Sequence, residues 1–502
     1  MKRQEQPALD QKQLDIDLAA AAGRDPAAAL SALVAAAKKE AARKYIDKAF
    51  SRDKLYAGLS HADPKARKNA ARLLGALENR QDAIALITAL KAETTRFVRP
   101  SMLLALGAIG GEEARSYLET LPEPTASSPE EEKHAREEAE ALRRARARLM
   151  PVASHPFKGF SKPHSAVLVA PAGFVPILQQ ELKNRSIPSR PVGEELLSIE
   201  VQDVKPLFRA RCFSELLFPL AEGVRVDPAA VAGAVRAPLL ALLQDALSGT
   251  EPYPYRVECP DLNNRAAFIS ALAMELDKGG LLNNPSQYDA ELRLLPQQNG
   301  TLNAYCKLYT LDDPRFSYRK RALPASMHPA TAACVARYAA VFLGQKKNAN
   351  VLDPFCGSGT LLIEWGKQYP ESALTGIDIA YSALDIAKEN MRLANVRAGL
   401  VHKDCTAFVP RAPFDLILSN LPFGNRVGTH QDNERLYQKL CAMLPEWLAP
   451  GGIAVLYTME YTLLHRCIHA QKNLRRIGET RTAAGGLLPW VIVVGKTEQE
   501  EC

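Results

Sequence analysis

The 502-residue sequence lacks the cysteine patterns that build metal sites and disulfide frameworks. Its nine cysteines stand singly along the chain, with no C-x-x-C pair and no cluster with histidine. Zinc sites and disulfide scaffolds require such grouping, so neither is indicated. We therefore expect reduced thiols and no bound metal.

The sequence also lacks a long apolar run. No stretch approaches 18 consecutive apolar residues, and the first residues, Met1–Gln6, are polar and charged where a secretory signal would be apolar. These absences predict a cytoplasmic protein that does not span a membrane. A hydrophobic content of 47% with 24% charged residues is typical of chains that fold throughout, and this length predicts several domains. The net charge of +7 is compatible with a polyanionic partner but does not require one.

Residues 1–150 have helical periodicity and a weak internal repeat. The segment Arg67–Leu77 is similar in sequence to Arg99–Ile109, which gives a period of about 32 residues. Before the first copy, Asp63 is expected to cap a helix and Pro64 to occupy its first position. The pattern resembles the HEAT-repeat family, which implies a scaffold that binds a protein partner or RNA.

A proline-containing segment, residues 151–163, is predicted to link this helical domain to a second region at 164–322. There, short strands alternate with helices without a glycine-rich turn, which predicts α+β units rather than a cofactor domain. The turn Ala170–Phe174 and the segment Asn284–Arg293 resemble the ferredoxin-like and THUMP units of THUMP-containing RNA methyltransferases. In that family these units hold structured RNA, so the resemblance implies an RNA partner.

A basic run, Tyr318-Arg319-Lys320-Arg321, leaves this region. Its cations could bind phosphates, and its aromatic ring could stack on a base. We expect Arg319, Lys320 and Arg321 to contact RNA, with a solvated linker as the alternative.

Residues 323–502 alternate strands and helices in the order of a doubly wound α/β sheet, in which ligands bind at the carboxyl ends of the strands. A final pair of strands, 475–479 and 491–494, predicts an antiparallel closure like that of class I methyltransferases. The predicted fold is therefore a Rossmann-like methyltransferase domain, preceded by an α+β ferredoxin-like and THUMP-like region and a helical HEAT-like domain.

The first strand of this domain ends in a glycine-rich turn that opens a helix, and its residues are Asp353, Pro354, Phe355, Cys356, Gly357, Ser358, Gly359 and Thr360. Glycines allow unusual dihedral angles and a close approach to a ligand. The turn lacks the lysine of a P-loop and the third glycine of the dinucleotide fingerprint. These differences argue against triphosphate and NAD binding.

Acidic residues end three successive strands of the domain. Asp353 suits the cationic methionyl end of S-adenosylmethionine (SAM). Asp378, followed by Ile379, could accept hydrogen bonds from the ribose hydroxyls, and Asp404, followed by Cys405, from the adenine amino group. A lone acid after a strand is commonly a cap, but three in succession predict a SAM site.

The fourth strand ends in Asn420, Leu421, Pro422 and Phe423, which resemble the N/D-P-P-Y/F motif of exocyclic-amine methyltransferases. An aryl amine is a weak nucleophile because its lone pair is delocalised into the ring. The side-chain oxygen of Asn420 and the carbonyl of Leu421 could accept its two N–H bonds. Pro422 would stiffen the loop, and Phe423 would stack on the flipped base.

Leucine at the second motif position resembles the guanine-N2 branch of the THUMP family, in which Arg426 would also contact RNA. The hypothesis is a SAM-dependent methyltransferase that modifies guanosine N2 in tRNA, or alternatively in ribosomal RNA. A non-catalytic RNA-binding scaffold and a DNA adenine methyltransferase are the competing classes.

Overall fold

The structure is a computed structural model that describes residues 11–23, 25–125, 128, 131–149, 154–259, 262–277, 279–324, 326–344, 346–423 and 430–497. Its packing divides the chain into two compact units. One comprises Gly159–Pro219 and Leu311–Cys502, and the other comprises Lys2–Lys158 and Leu220–Thr310. The region predicted at 164–322 is thus shared between both units, and the predicted domain boundaries remain predictions.

The elements are numbered in chain order. The helices are α1 (Gln11–Ala21), α2 (Ala27–Ala36), α3 (Glu40–Ala49), α4 (Arg52–Leu59), α5 (Pro64–Leu77), α6 (Ala83–Ala92), α7 (Arg99–Ile109), α8 (Glu112–Thr120), α9 (Glu132–Leu149), α10 (Val175–Lys183), α11 (Val204–Leu207), α12 (Pro228–Ala246), α13 (Arg265–Leu276), α14 (Pro329–Phe342), α15 (Thr360–Gln368), α16 (Tyr381–Ala394), α17 (His430–Trp447) and α18 (Tyr461–His469). The strands are β1 (His164–Val169), β2 (Arg190–Pro191), β3 (Leu196–Val201), β4 (Glu215–Arg225), β5 (Tyr253–Glu258), β6 (Leu281–Asn283), β7 (Ala290–Pro296), β8 (Thr301–Leu308), β9 (Asn350–Asp353), β10 (Ala373–Asp378), β11 (Gly399–His402), β12 (Phe414–Asn420), β13 (Leu448–Thr458), β14 (Leu474–Arg481) and β15 (Trp490–Lys496).

Paired helices, α4 with α5 and α6 with α7, form the predicted repeat. Asp63 caps α5 by accepting a hydrogen bond from the amide of Lys65 at 2.9 Å, and Pro64 occupies the first turn as predicted. Successive repeats pack closely: a Cβ on Gly75 would lie 2.9 Å from the Cα of Ala105. Leucine and alanine side chains from α1 to α9 form one continuous core, which is how stacked repeats stabilise each other.

The same unit contains a second layer, with strand order β8-β7-β5-β6 and the end of β4 beside β8. Its longest helix, α12, was not predicted from the sequence. By length and composition α12 could cross a membrane. It buries seven residues, among them Val235, Leu239 and Leu243, and packs against α13, as expected for a core helix.

The other unit is organised around a seven-stranded sheet of order β11-β10-β9-β12-β13-β15-β14. The first five strands are parallel, and β15 is antiparallel to both β13 and β14. Helices α15, α16 and α17 follow β9, β10 and β12. This is the predicted Rossmann-like fold with its antiparallel closure.

A smaller antiparallel sheet, β2-β3-β1-β4, belongs to the same unit. Glu181 on α10 is fully buried and accepts hydrogen bonds from the amides of Arg211 and Cys212 at 3.0 and 2.9 Å. The guanidinium of Arg337 on α14 lies 3.2 Å from the same carboxylate. Glu181 thereby joins the small sheet to the helix that precedes β9.

Candidate functional site

A cavity of about 900 Å3 opens at the carboxyl ends of β9, β10 and β12. The predicted cofactor and motif residues that line it are Asp353, Pro354, Phe355, Cys356, Gly357, Ser358, Thr360, Asp378, Ile379, Asp404, Cys405, Asn420, Leu421, Pro422 and Phe423. Gly359 is not part of the lining. Its φ of +76° turns the chain into α15, and a Cβ there would lie 2.9 Å from Cε of Met391.

Asp353 lies at the end of β9 with only 1% of its surface exposed. Its Oδ1 accepts hydrogen bonds from the hydroxyl of Ser419 at 2.6 Å and from the amide of Phe355 at 3.0 Å. Burial raises the pKa of Asp353 to about 7, since the two hydrogen bonds offset the lost hydration only in part and the negative charge of Asp378 adds to the rise. A cation bound beside it would favour the ionised form.

Asp378 and Asp404 end the next two strands and are more accessible. The two oxygens of Asp378 accept from the amides of Gly357 at 2.9 Å and Ala380 at 2.8 Å, so the carboxylate orients the glycine-rich turn. Oδ1 of Asp404 caps a short 3-10 helix by accepting from the amide and hydroxyl of Thr406 at 2.8 and 2.9 Å. Both carboxylates keep lone pairs for hydroxyl or amino donors.

The charged residues that line the cavity indicate which kind of ligand it can bind. The acidic residues of its lining are Glu195, Asp353, Asp378 and Asp404, against a single amine, Lys403. Such a lining repels a triphosphate and attracts a cation. The exposed side chain of Ile379 adds apolar surface for a flat ring. The residues therefore fit SAM, whose sulfonium and ammonium groups are cationic.

Hydrogen bonds from hydroxyl and amide side chains support the glycine-rich turn. Ser358 lies 2.8 Å from the hydroxyl of Ser326 and 3.2 Å from that of Thr360. The side-chain amide of Asn390 donates to the carbonyl of Ser358 at 3.2 Å and to that of Arg321 at 2.9 Å. Sequence reasoning missed Ser326 and Asn390, because neither belongs to the motif that they support.

The motif loop is fixed at two of its backbone groups. The amide of Leu421 donates to the carbonyl of Tyr457 at 3.0 Å. The hydroxyl of Tyr437, a fully buried residue of α17, donates to the carbonyl of Pro422 at 2.9 Å and lies 2.8 Å from the hydroxyl of Thr458. The ring of Phe423 lies 6.2 Å from that of Tyr457, at 48°. This arrangement leaves Phe423 half-buried at the cavity.

Two segments far apart in sequence wall the other side of the cavity. One is Val169–Ala172, at the end of β1, and the other consists of Ala483, Ala484, Gly485 and Leu487 in the β14–β15 loop. The two segments meet at Gly173, where φ is +77° and an added Cβ would lie 2.3 Å from the carbonyl oxygen of Arg481. The turn that resembled the THUMP family therefore belongs to this cavity.

The basic run lies outside the cavity lining, and its side chains differ from one another. Tyr318 is buried and donates its hydroxyl hydrogen to Glu364 at 2.6 Å, so it is not available to stack on a base as the sequence suggested. Arg319 is half-buried and Lys320 is exposed. The exposed Arg321 lies 3.4 Å from Asp385 and 3.5 Å from Glu389.

The predicted RNA contact Arg426 and the cavity residue His328 differ in how far the structure describes them. Arg426 lies outside the described residues. His328 lines the cavity and caps α14, accepting a hydrogen bond from the amide of Ala330 at 3.2 Å. Desolvation by burial and the charges of Arg319 and Arg315 lower the pKa of His328, which favours the neutral ring that this cap requires.

Comparison with known families identifies the two kinds of domain. Residues 317–489 match the RMKL-like methyltransferase domain family, and residues 52–128 match HEAT repeats. The C-terminal region is therefore a class I methyltransferase domain of this family, and the N-terminal repeats are confirmed. SAM is the methyl donor of this domain, and one structure with the same fold was determined with SAH.

Similarities to individual proteins point the same way, although the chain spans only about a quarter of the THUMPD2 sequence that it matches. The chain is 33% identical over 118 residues to the U6 snRNA (guanine-N(2))-methyltransferase THUMPD2 of Bos taurus, covering 23% of each protein. It is 28% identical over 330 residues to the tRNA (guanine(6)-N2)-methyltransferase of Thermus thermophilus, covering 62% of this chain and 88% of that protein. The crystal structure of TrmN from Thermus thermophilus superposes with a TM-score of 0.52 at 21% identity, covering 67% of this chain and all of that one, and supports the fold. The resemblance to THUMP-type methyltransferases is confirmed.

Proposed function

We propose that this protein transfers a methyl group from SAM to the exocyclic N2 of a guanosine in RNA, with tRNA as the substrate class. The observation that carries the proposal is the position of the motif loop. Asn420, Leu421 and Phe423 line the same cavity as Asp353 and Asp378, so an amine held by the loop lies beside the donor site. The names of the relatives, which act on guanine N2 of tRNA or U6 snRNA, support this acceptor.

The loop would activate the amine by accepting its hydrogens. The Oδ1 atom of Asn420 and the carbonyl oxygen of Leu421 are two acceptors on adjacent residues. When the N2 group donates to both, its nitrogen becomes pyramidal and its lone pair is directed away from the ring. Phe423 would hold the base by stacking, as base-flipping enzymes do. Positioning of this kind is an effective source of rate acceleration.

The bound donor supplies an electrophilic methyl group. After transfer the methyl–sulfur bond is broken and the nitrogen is bonded to C2 of the base, to the new methyl group and to two hydrogens. This positively charged nitrogen is strongly acidic and loses one proton to Asn420 or to solvent. No strong base is therefore required near the loop. Asp353 is placed to balance the positive charge of the donor rather than to take this proton.

The proposal is tested by incubating the purified full-length protein with total tRNA and methyl-tritiated SAM, followed by mass spectrometry of the labelled nucleosides. N2-methylguanosine is expected. Ribosomal RNA tested in parallel distinguishes the alternative substrate, and label confined to duplex DNA as N6-methyladenine would contradict the proposal. RNA binding without donor binding would instead favour a non-catalytic scaffold.

The proposal includes a partner, assigned from the HEAT repeats, and a location, assigned from the tRNA substrate. Repeats of this family bind through extended surfaces, so we assign residues 52–128 to the binding of a protein partner. We place the enzyme in the cytoplasm, where tRNA is available. Co-purification of a partner by the full-length protein, lost when α4–α7 are altered at exposed positions, would support the first assignment.

A further inference from the structure

A strip of aromatic and basic side chains beside the cavity has no part in the mechanism above. It consists of Arg481, Trp490, Tyr461 and His465. The guanidinium of Arg481 lies 5.6 Å from the Trp490 ring centroid. The rings of Trp490 and Tyr461 are 4.5 Å apart at 36°, and those of Tyr461 and His465 are 5.8 Å apart at 30°.

Strand register places this strip near the motif loop. Asn420 pairs with Tyr457, and the next residue of β13, Thr458, pairs with Trp490, which in turn pairs with Arg481. Neighbouring strands lie about 4.8 Å apart, so Trp490 is about 10 Å and Arg481 about 15 Å from the strand of Asn420. The loop between β14 and β15 lines the cavity through Ala483, Ala484, Gly485 and Leu487, and Arg481 and Trp490 flank this loop.

Hydrogen bonds hold the Tyr461 side chain of the strip in place, and the strip is partly exposed to solvent. The hydroxyl of Tyr461 accepts a hydrogen bond from Arg476 at 3.0 Å and donates to Glu479 at 3.3 Å, which fixes the ring. Trp490 is half-buried and Arg481 exposed. Within the described part of the chain Arg481 makes no ion pair, so its guanidinium can move from the ring to an anion at little cost.

We propose that this strip binds the single-stranded nucleotides that flank the target guanosine. A base would stack on Trp490 and a neighbouring phosphate would pair with Arg481. Aromatic faces beside an uncompensated cation are the usual means of holding single-stranded nucleic acid. Enzymes that act on a flipped or single-stranded base also contact the nucleotides on either side of it, and these would lie within this distance of the loop. This inference rests on the proposed function and adds the path of the RNA to it.

Tryptophan fluorescence gives a direct test. The three tryptophans are Trp365, Trp447 and Trp490, of which the first two are buried. Acrylamide quenching of the full-length protein therefore reports mainly on Trp490. A mixed tRNA pool is expected to protect it, and Trp490→Leu is expected to remove the quenchable signal.

Affinity for the same pool separates stacking from charge. Trp490→Leu and Arg481→Ala should each weaken binding about tenfold. Arg481→Ala should also reduce the slope of log affinity against log salt by about 0.7, whereas Trp490→Leu should leave the slope unchanged. The control is Arg411→Ala, an exposed arginine just before the amino end of the central strand β12, whereas the cavity lies at the carboxyl ends of the strands; it should change neither quantity.

The outcomes also separate this inference from the proposed function. The inference about the strip is wrong if the wild type methylates tRNA, both variants bind tRNA within twofold of the wild type, and tRNA does not protect Trp490. The proposed function would still stand in that case. Protection and weakened variants without any methyl transfer by the wild type would overturn the function and leave the strip standing. Arg481→Ala changes an exposed side chain, so its folding is secure even if Trp490→Leu melts early.

Discussion

The hydroxyl of Ser419 donates to Oδ1 of Asp353 across 2.6 Å and joins the strand of the motif loop to the carboxylate of the proposed donor site. Both side chains are buried. This hydrogen bond stabilises the ionised form of Asp353, yet burial still raises its pKa to about 7. In the donor-free protein Asp353 is therefore only about half ionised near pH 7, and its ionised fraction falls further as the pH falls.

Donor affinity should depend on pH for this reason. Between pH 8 and pH 6 the ionised fraction of Asp353 falls, and SAM should bind about tenfold more weakly at pH 6. Calorimetric titration at both values measures this. Asp353→Asn should bind weakly at both pH values, and equal wild-type affinities at pH 6 and 8 would contradict the assignment.

The raised pKa of the Asp353 carboxyl should make the donor-free protein less stable as the pH rises. Its folded pKa lies above its unfolded value, so its contribution to stability is fully present below the unfolded pKa and is lost as pH rises through about 7. Asp353→Asn removes this dependence. The melting temperature of Asp353→Asn relative to that of the wild type should therefore rise between pH 5 and pH 8. A difference in melting temperature that stays constant over this range would argue against the raised pKa.

Asn420→Ala should abolish methyl transfer while leaving donor affinity unchanged. The substitution removes one of the two acceptors proposed for the amine, but Asp353 and Asp378 stay in place. Single-turnover rates and SAM titrations measure the two effects separately. Equal losses of rate and donor affinity would show that Asn420 supports the donor site instead.

Tyr437→Phe should slow the reaction without weakening donor binding. The phenol holds the carbonyl of Pro422 at 2.9 Å, and loss of one such hydrogen bond costs about 1 kcal/mol, which corresponds to about a fivefold lower kcat if the loop must be ordered in the transition state. Tyr369→Phe, at the C-terminal end of α15, is the matched control and should leave kcat unchanged. An unaltered kcat in Tyr437→Phe would mean that the loop needs no anchor.

Glu364→Gln should destabilise the fold of its unit. The buried carboxylate accepts from Nε and Nη2 of Arg211 at 2.6 and 2.9 Å and from the hydroxyl of Tyr318 at 2.6 Å. Removing one partner of a buried ion pair costs about 3–5 kcal/mol. Arg321→Ala breaks an exposed pair and should cost less than about 1 kcal/mol. Denaturant titrations compare the two variants, and similar losses would contradict this ranking.

Much of the site could be predicted because its residues follow strands in order. The carboxyl ends of parallel strands meet at one edge of a sheet, so Asp353, Asp378, Asp404 and Asn420 were expected to converge, and they line one cavity. The anchor Tyr437 was not predictable, since its contact with Pro422 depends on how α17 packs and no local pattern encodes it.

Other parts of the fold were missed for similar reasons. The second wall of the cavity combines the turn after β1 with the β14–β15 loop, which are about 300 residues apart in the sequence. Tyr318 directly precedes three basic residues, which suggested a surface position, but its hydroxyl donates to the buried Glu364, a contact that no sequence period reveals. Helix α12 carries little amphipathic pattern because much of it is apolar.

The basic run offers a last prediction, in which two adjacent cations should differ. The exposed Lys320 makes no ion pair within the described residues, whereas Arg321 lies near Asp385 and Glu389. A cation already paired releases fewer counterions when it binds a phosphate. Lys320→Ala should therefore weaken tRNA binding and reduce its salt slope by about 0.7 to 0.9, and Arg321→Ala should have a smaller effect on both. Filter binding over a range of salt concentrations measures these slopes. If neither variant changes the slope, the run is a solvated linker, and if Arg321→Ala has the larger effect, its carboxylate partners must release it when RNA binds.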